Sequence, residues 1–417
     1  MTNPCIDSSA APLILVDAYS TGALLARSLA GQRPLLHVRS RAHMPAAFAA
    51  SCPTELFAKD YSVAEEGLEP LLLKLAAYRP GAVLTGSEFG VELADLLAAR
   101  LGLPGNNPAT SAARRDKSLM AERVAEAGLP VAAQLRTRSL ERALVWFKAR
   151  GGETVVAKPL DSAGSDNVFI CHDALQLEAA IESILGATNL MMLNNEQVLL
   201  QEYLTGAEYV INSVSHAGEH WITDVWKCSK TFAADGRKIY DREDLLPADA
   251  HELPQLIEYV QGVLDALGIV HGPAHTELIL TGNGPRLLET GARLSGLACP
   301  PALQAATGND QVALTCQSYL DPARLAQWPK RYQLLQHARG MNLIAHRHGL
   351  FAQAHVRQRL EALPSFHNAR FRFAEGARIA PTVDLNSSPA AVFLLHPQSE
   401  RIDADYDAWR GWERDGL

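Results

Sequence analysis

Two different periodicities divide this chain, and the change from one to the other limits its possible folds more than any single motif. Over roughly the first hundred residues, short apolar runs alternate with helical segments. "PLILVDAYSTG" reads as a strand closing in a small polar turn, and "ALLARSLAG" continues it with helical spacing. "PLLHVRS" and "GAVLTGSEFG" are further strands, and "VELADLLAARLG" is a helix stopped at Gly102. Such alternation predicts an open, mainly parallel sheet with helices on its faces. Ligands of such sheets gather at the carboxyl ends of the strands, here Asp17–Gly22 and Thr85–Glu88. From Gln197 the pattern changes. "QVLLQEYL", "EYVINSVSH" and "HWITDVWKCSK" are successive strand-like runs, followed by a long helix near Leu253–Leu267. "PAHTELILT" and "GPRLLETGAR" then flank a tight turn at Gly282–Gly284, which predicts antiparallel pairing.

The middle of the chain links these regimes. "LPGNNPAT" is turn-rich and closes the first unit. A helix is expected from about Ser111 to Ala127, stopped by Gly128, and "ALVWFKARGG" is a second helix closed by glycines. "ETVVAKPL" is a β-branched strand entering the polar loop Asp161–Asn167, after which "VFIC" resumes the sheet. That is a hairpin, unlike the strand–loop–helix of a Walker motif. The expected organisation is an α/β unit at 1–112, a small unit at 113–198, and a large unit at 199–417 with a strand-rich extension after about Tyr332. The segment Trp226–Pro247, rich in charge, reads as a loop able to cover a site, with Lys227, Lys230, Arg237 and Tyr240 as possible substrate contacts.

Composition narrows the partners. A chain of 417 residues is too long for one core. Its net charge is −8 and no Lys/Arg-rich block occurs, so neither nucleic acid nor an anionic membrane is an expected partner. The start lacks the pattern of a secretory leader, and the apolar run Ala10–Val16 is too short to span a bilayer. Six cysteines are scattered without a CxxC pair, as expected of free thiols in a reducing compartment, and a cytoplasmic location follows. A homodimer is the default for a soluble homo-oligomer. No GxGxxG turn supports a dehydrogenase.

Chemistry concentrates on the late hairpin. Glu277 and Glu289 stand twelve residues apart on either side of Gly-Asn-Gly and can meet on one sheet face. Converging carboxylates repel unless a cation lies between them, and hard oxygen ligands without a histidine pattern suit Mg²⁺ with nucleotide phosphates. Two solvated surface glutamates are the competing explanation. Arg293, four residues on, suits a phosphate or a carboxylate. Lys158 ends a strand beside "DSAGSDN", whose small residues let backbone N–H groups close on phosphate. His275 shares the face of Glu277, and Leu297 lies four past Arg293, near enough to help size a substrate pocket.

The phrases "DAYSTG", "TGSEFGVELAD", "KPLDSAGSDNV", "QEYLTGAEY", "HTEL" and "LLETGARLSG", in this order, resemble the ATP-grasp superfamily. The likeness runs from Asp116 to Gly296, with an α/β region ahead like that superfamily's N-terminal domain. Within the superfamily the sequence is most similar to the L-amino-acid ligases, which form dipeptides. The resemblance implies an N-terminal parallel-sheet domain, a small lid and a large antiparallel-sheet domain. It implies ATP and Mg²⁺, or Mn²⁺ in its place, as cofactors, with amino acids as small-molecule substrates. Lys117 and Lys158 match the two nucleotide lysines, and Ser162, Ala163, Gly164 and Ser165 the loop over the phosphates. Glu202, Tyr203 and Leu204 match the hinge that reads adenine, with Gln201 beside it, and Glu208 matches the ribose acceptor. Glu277 and Glu289 match the metal ligands, and Arg293 the cation near the transferred phosphate. Substrate is expected at Arg293, His275, Glu88 and Leu297. One departure is Gly291, where many members carry an asparagine ligand. The implied activity joins two L-amino acids through an acyl phosphate. Rivals are a carboxylase subunit, a purine-type ligase, or a nucleotide-binding module without turnover.

Overall fold

A computed structural model of the protein describes residues 10–162, 164, 166–232 and 238–416. Strands β1 (Leu13–Val16), β2 (Leu35–Arg39), β3 (Lys59–Ser62) and β4 (Ala82–Thr85) form a parallel sheet in the order β3-β2-β1-β4. Alternate side chains go to opposite cores. Leu13, Leu15 and Leu35 pack with the helix Gly22–Ala30 on one face. Ile14, Val16, Leu36 and Val38 pack with the helices Leu68–Ala77 and Val91–Arg100 on the other. Burial on both faces explains the unbroken apolar runs. At the carboxyl ends the backbones of β1 and β4 nearly touch, since a Cβ on Gly22 would stand 2.1 Å from the carbonyl oxygen of Gly86.

The second sheet contains β5 (Gln134–Thr137), β6 (Val155–Pro159), β7 (Phe169–Cys171) and β8 (Val198–Glu202), in the order β5-β8-β6-β7. Its pairs are all antiparallel, so the expected hairpin around Asp161–Asn167 is present. Helices Leu140–Ala149 and Ala174–Ile184 cover the sheet through Phe147, Leu177 and Ile181. Because β8 pairs with β5 and β6, this sheet runs to Glu202, past the sequence boundary at 198. The single helix expected over Ser111–Ala127 is two elements, a 3-10 helix Pro108–Arg114 and an α-helix Lys117–Glu126. Asp116 restarts the chain as an N-cap, its carboxylate accepting from the N–H groups of Ser118 and Leu119 at 2.8 and 3.1 Å.

The third region has β9 (Gly206–His216), β10 (Glu219–Phe232), β11 (Lys238–Leu245), β12 (Gly272–Thr281) and β13 (Gly284–Gly291). It continues with β14 (His337–Asn342), β15 (Gly349–Leu350), β16 (Phe366–Phe371), β17 (Arg378–Ile379) and β18 (Ala390–His396). Eight of these make one sheet, β13-β12-β9-β10-β11-β14-β18-β16, while β15 and β17 pair with each other. The helix Leu253–Ala266 seats Leu256, Val260 and Leu264 in the core that also holds Leu278 and Leu287. The segment expected as a covering loop is largely strand. β10 and β11 pair from Trp226↔Leu245 to Phe232↔Lys238, and Trp226, Cys228 and Leu245 at one end of the pairing are buried in the core. Arg237 lies outside the described residues. The C-terminal stretch also carries the helices Gln353–Glu361 and Ser399–Gly416 among its strands. No described helix is long and apolar enough to cross a membrane. The described cysteines are all free thiols.

Candidate active site

The late hairpin sets the centre. In β12 and β13, Glu277 pairs directly with Glu289, so both carboxylates share one face, with a register shift immediately after them. The turn is closed by the Thr281 hydroxyl, which donates to the Gly284 carbonyl at 2.8 Å. Burial alone would raise Glu277, yet the His275 hydrogen bond and charge, with Lys230 and Arg293 nearby, hold it well below the ordinary carboxylate range. His275 is engaged at both nitrogens, with Asn212 at 2.8 Å and Glu277 at 3.3 Å.

Two lysines converge on this pair, one from a helix start and one from the small sheet. Lys117, the first residue of its helix, places Nζ 2.8 Å from Glu289 and donates to the Ser162 carbonyl at 2.8 Å. Lys158 on β6 is only 6% exposed and donates to the Gln201 side-chain oxygen at 2.9 Å. Among the described residues it has no carboxylate within ion-pair distance. Burial, reinforced by the charge of Lys117, pulls it down to about 8. A buried ammonium whose hydrogen-bond acceptor is a neutral amide is costly, and a nearby anion would lower that cost. In the adjoining loop the Ser162 hydroxyl donates to Asp166 at 2.8 Å, and Gly164 sits at φ +66°. Ala163 and Ser165 lie outside the described residues.

Where β8 leaves the small sheet, Gln201 is buried and its amide oxygen accepts from Lys158. Glu202 accepts from Arg150 at 2.9 Å, the Tyr203 N–H donates to the Thr154 carbonyl at 3.2 Å, and Leu204 follows at the crossing into β9. Glu208 accepts from Lys230 at 2.7 Å and from the Tyr240 hydroxyl at 3.4 Å, and burial raises its carboxyl.

The parallel sheet contributes Glu88. Its carboxylate lies between Arg293 and Arg115, and Arg115 also reaches Asp161 at 2.5 Å. Burial opposes its ionisation, but Arg293 and Arg115 outweigh burial and hold Glu88 down at about 2. Gly291 makes room for this contact, since a Cβ there would stand 2.9 Å from Glu88 Oε2 and 3.2 Å from Arg293 Nε. Further along, Leu297 lines a small cavity of about 20 Å³ with Asn212, Asp224, Trp226 and Glu243. Asp224 accepts from Asn212, Thr223 and Trp226 at 2.5, 2.7 and 2.5 Å, and burial raises it. Burial, with Glu277, Glu208 and Asp224 nearby, pushes Glu243 up to about 8.

Residues 152–300 match the family model for the ATP-grasp domain. Dapdiamide A synthase of Enterobacter agglomerans is 32% identical, over 92% of this chain and 91% of its own length. The chain belongs to the ATP-grasp ligases. Carnosine synthase 1 of Gallus gallus is 28% identical over 76% of this chain, which spans 36% of that protein. The fold of this ATP-grasp chain is that of the L-amino acid ligase from Bacillus licheniformis, at a TM-score of 0.72 and 17% identity, covering 96% of this chain and 97% of that one. A carboxyaminoimidazole ribonucleotide synthase from Aspergillus clavatus, solved with ATP, superposes at a TM-score of 0.71 and 12% identity over 97% and 99% of the two chains.

Lys117, Lys158, Gln201, Glu208, His275, Glu277, Glu289, Arg293 and Glu88 are thus joined in one cluster of interacting side chains. Of the expected loop contacts, Lys230 and Tyr240 face it, whereas Lys227 alternates to the other side of β10 and is exposed. Arg115, Asn212, Asp224 and Glu243 were not expected. Arg115 had a faint signal, standing two residues before Lys117 in "RRDK". Glu243 had only its alternation with Leu245.

Proposed function

We propose that the protein joins two L-amino acids through an amide bond, activating one carboxylate as an acyl phosphate at the expense of ATP and releasing ADP and phosphate. The observation that carries this reading is Lys158, a buried cation with no anionic partner among the described residues, near a directly paired Glu277 and Glu289. A nucleotide triphosphate supplies the missing negative charge. The likeness to dapdiamide A synthase over nearly the whole chain supports amino-acid substrates.

In this reading Glu277 and Glu289 hold Mg²⁺, or Mn²⁺ in its place, which when bound offsets the charge of the phosphates. Gly291 offers no third side-chain ligand, so phosphate or water completes the shell. Lys158 and Lys117 take the phosphates, with Ser162 next to them. Glu202, Tyr203, Leu204 and Gln201 receive the adenine, and Glu208 the ribose. Arg293 orients the carboxylate being activated and steadies the charge that develops as the phosphoryl group moves to it. Glu88, His275 and Leu297 shape the amino-acid side. The amine then attacks the acyl carbon and phosphate leaves. We assign the three sheets to three domains, with the small domain extending to Glu202.

The test is a screen of amino-acid pairs with Mg·ATP, following ADP release and product mass together. Stoichiometric ADP and dipeptide are expected. Nucleotide binding without ADP release for any pair would sink the ligase reading.

A further inference from the structure

The C-terminal helix Ser399–Gly416 stands apart from the cleft, yet its charged face holds the one irregular point of β11. In the pairing of β10 with β11, Cys228 opposes Glu243 and Ser229 opposes Arg242, but Lys230 opposes Tyr240. Asp241 is therefore an extra residue, a β-bulge. In a regular strand, residues 240 and 243 point to opposite faces. The bulge turns both toward the cleft. Tyr240 reaches Glu208, with the Lys230 ammonium 4.3 Å from its ring centre, and Glu243 lines the cavity beside Leu297.

A bulge leaves a peptide group without its ladder partner and needs support from elsewhere. Here the support comes from the last helix. The Tyr406 hydroxyl lies 2.8 and 2.6 Å from the two carboxylate oxygens of Asp241. Arg410 donates to the Asp241 carboxylate at 2.5 Å, to its carbonyl at 3.2 Å, and to the Asn342 carbonyl at 2.8 Å. The guanidinium groups of Arg242, Arg339 and Arg410 lie 4.7, 4.9 and 5.1 Å from the Tyr406 ring centre, and Asp244 and Asp403 balance the first two. Stability alone is a poor reason for so dense a half-buried ionic cluster, because desolvation offsets much of its attraction.

We infer that Tyr406 and Arg410 are positioning residues of the active site, fixing the Asp241 bulge so that Tyr240 is aimed at the nucleotide end and Glu243 at the amino-acid end. The amino-acid half rests on the proposed ligase activity, and the nucleotide half on the proposed place of Glu208 at the ribose. The test uses the full chain carrying Asp241→Ala, Asp241→Asn or Tyr406→Phe, with Arg401→Ala as a control on the same helix. Calorimetry gives the dissociation constant of a non-hydrolysable Mg·ATP analogue, and steady-state rates give KM for each amino acid and kcat per folded molecule.

Asp241→Ala should raise both the nucleotide dissociation constant and the amino-acid KM by roughly tenfold with kcat little changed, as expected for a site moved by a fraction of an ångström. Asp241→Asn, which keeps the acceptor for Tyr406, should recover most of the loss, and Arg401→Ala should match the parent. Parental affinities in Asp241→Ala, or a fall confined to the folded fraction, would overturn the inference. If Asp241→Ala does not fold, Tyr406→Phe decides, with parental affinities again the overturning result. If the parent makes no amide, the ligase reading fails, and the nucleotide affinities alone judge the bulge.

Discussion

Lys158 is a buried cation with no carboxylate within ion-pair distance among the described residues. Its burial holds it at about 8 against an ordinary value of 10.5, so in the free protein this destabilisation is fully present below pH 8 and is relieved as the pH rises toward 10.5. Phosphate favours the charged amine, so nucleotide affinity should fall as pH rises through about 8. Lys158→Arg, which stays charged, should flatten that fall, as titration calorimetry between pH 7 and 9.5 would register. A fall of unchanged steepness would remove Lys158 from the phosphate site. Glu289→Gln should cut ADP release by about 10²-fold or more, the scale of losing a charge-stabilising group, and full turnover would end its assignment to the metal. Gly291→Ala should lower activity by about tenfold to a hundredfold, because its Cβ would stand 2.9 Å from Glu88 Oε2.

At the level of elements, the helix Lys117–Glu126 presents its first residue to the cleft, so its start must be exact in both place and direction. Asp116 provides that start and also meets Arg136 at 3.2 Å. Asp116→Ala should cost about 1 kcal/mol of stability and weaken nucleotide binding, while Asp116→Asn, an equally good cap, should keep both. Denaturant midpoints and calorimetry on the two variants separate these outcomes. The same start was hidden in the sequence, where Ser111–Ala127 has continuous helical character. The break at Arg115 depends on that arginine's ion pairs with Glu88 and Asp161, partners 27 and 46 residues away, which no local pattern contains. The bulge at Asp241 is a second case. Regular strand alternation would put Glu243 opposite Tyr240; the bulge at Asp241, which Tyr406 and Arg410 contact, reverses it.

Across the whole molecule, Glu88 is the junction. It belongs to the parallel-sheet unit, Arg115 to the link before the small sheet, Asp161 to the small sheet's loop, and Arg293 follows β13 of the large sheet. Its carboxyl is held at about 2 against an ordinary 4.5, so its stabilisation is complete above pH 4.5 and is lost as the pH falls toward 2. Glu88→Ala leaves two half-buried arginines without their shared partner and should destabilise the protein by about 3–5 kcal/mol. Its acid-unfolding curve should also lose steepness between pH 4.5 and 2. A variant with the parental acid curve would show that the junction contributes no such stability.

Local pattern was enough for the parallel sheet, the hairpin around Asp161–Asn167, and the facing of Glu277 and Glu289, because each depends on periodicity and on a turn a few residues long. Lys158 and Arg293 drew attention by their offsets from those elements, whereas Lys117 was singled out only by the family resemblance. Tertiary structure alone decided that Glu88 bridges Arg115 and Arg293, that Gly291 makes room for it, and that the C-terminal helix shapes β11. These features join residues tens to hundreds of positions apart. Their geometry is set by charges that must find partners once burial removes water, a demand that arises only when the three sheets have come together.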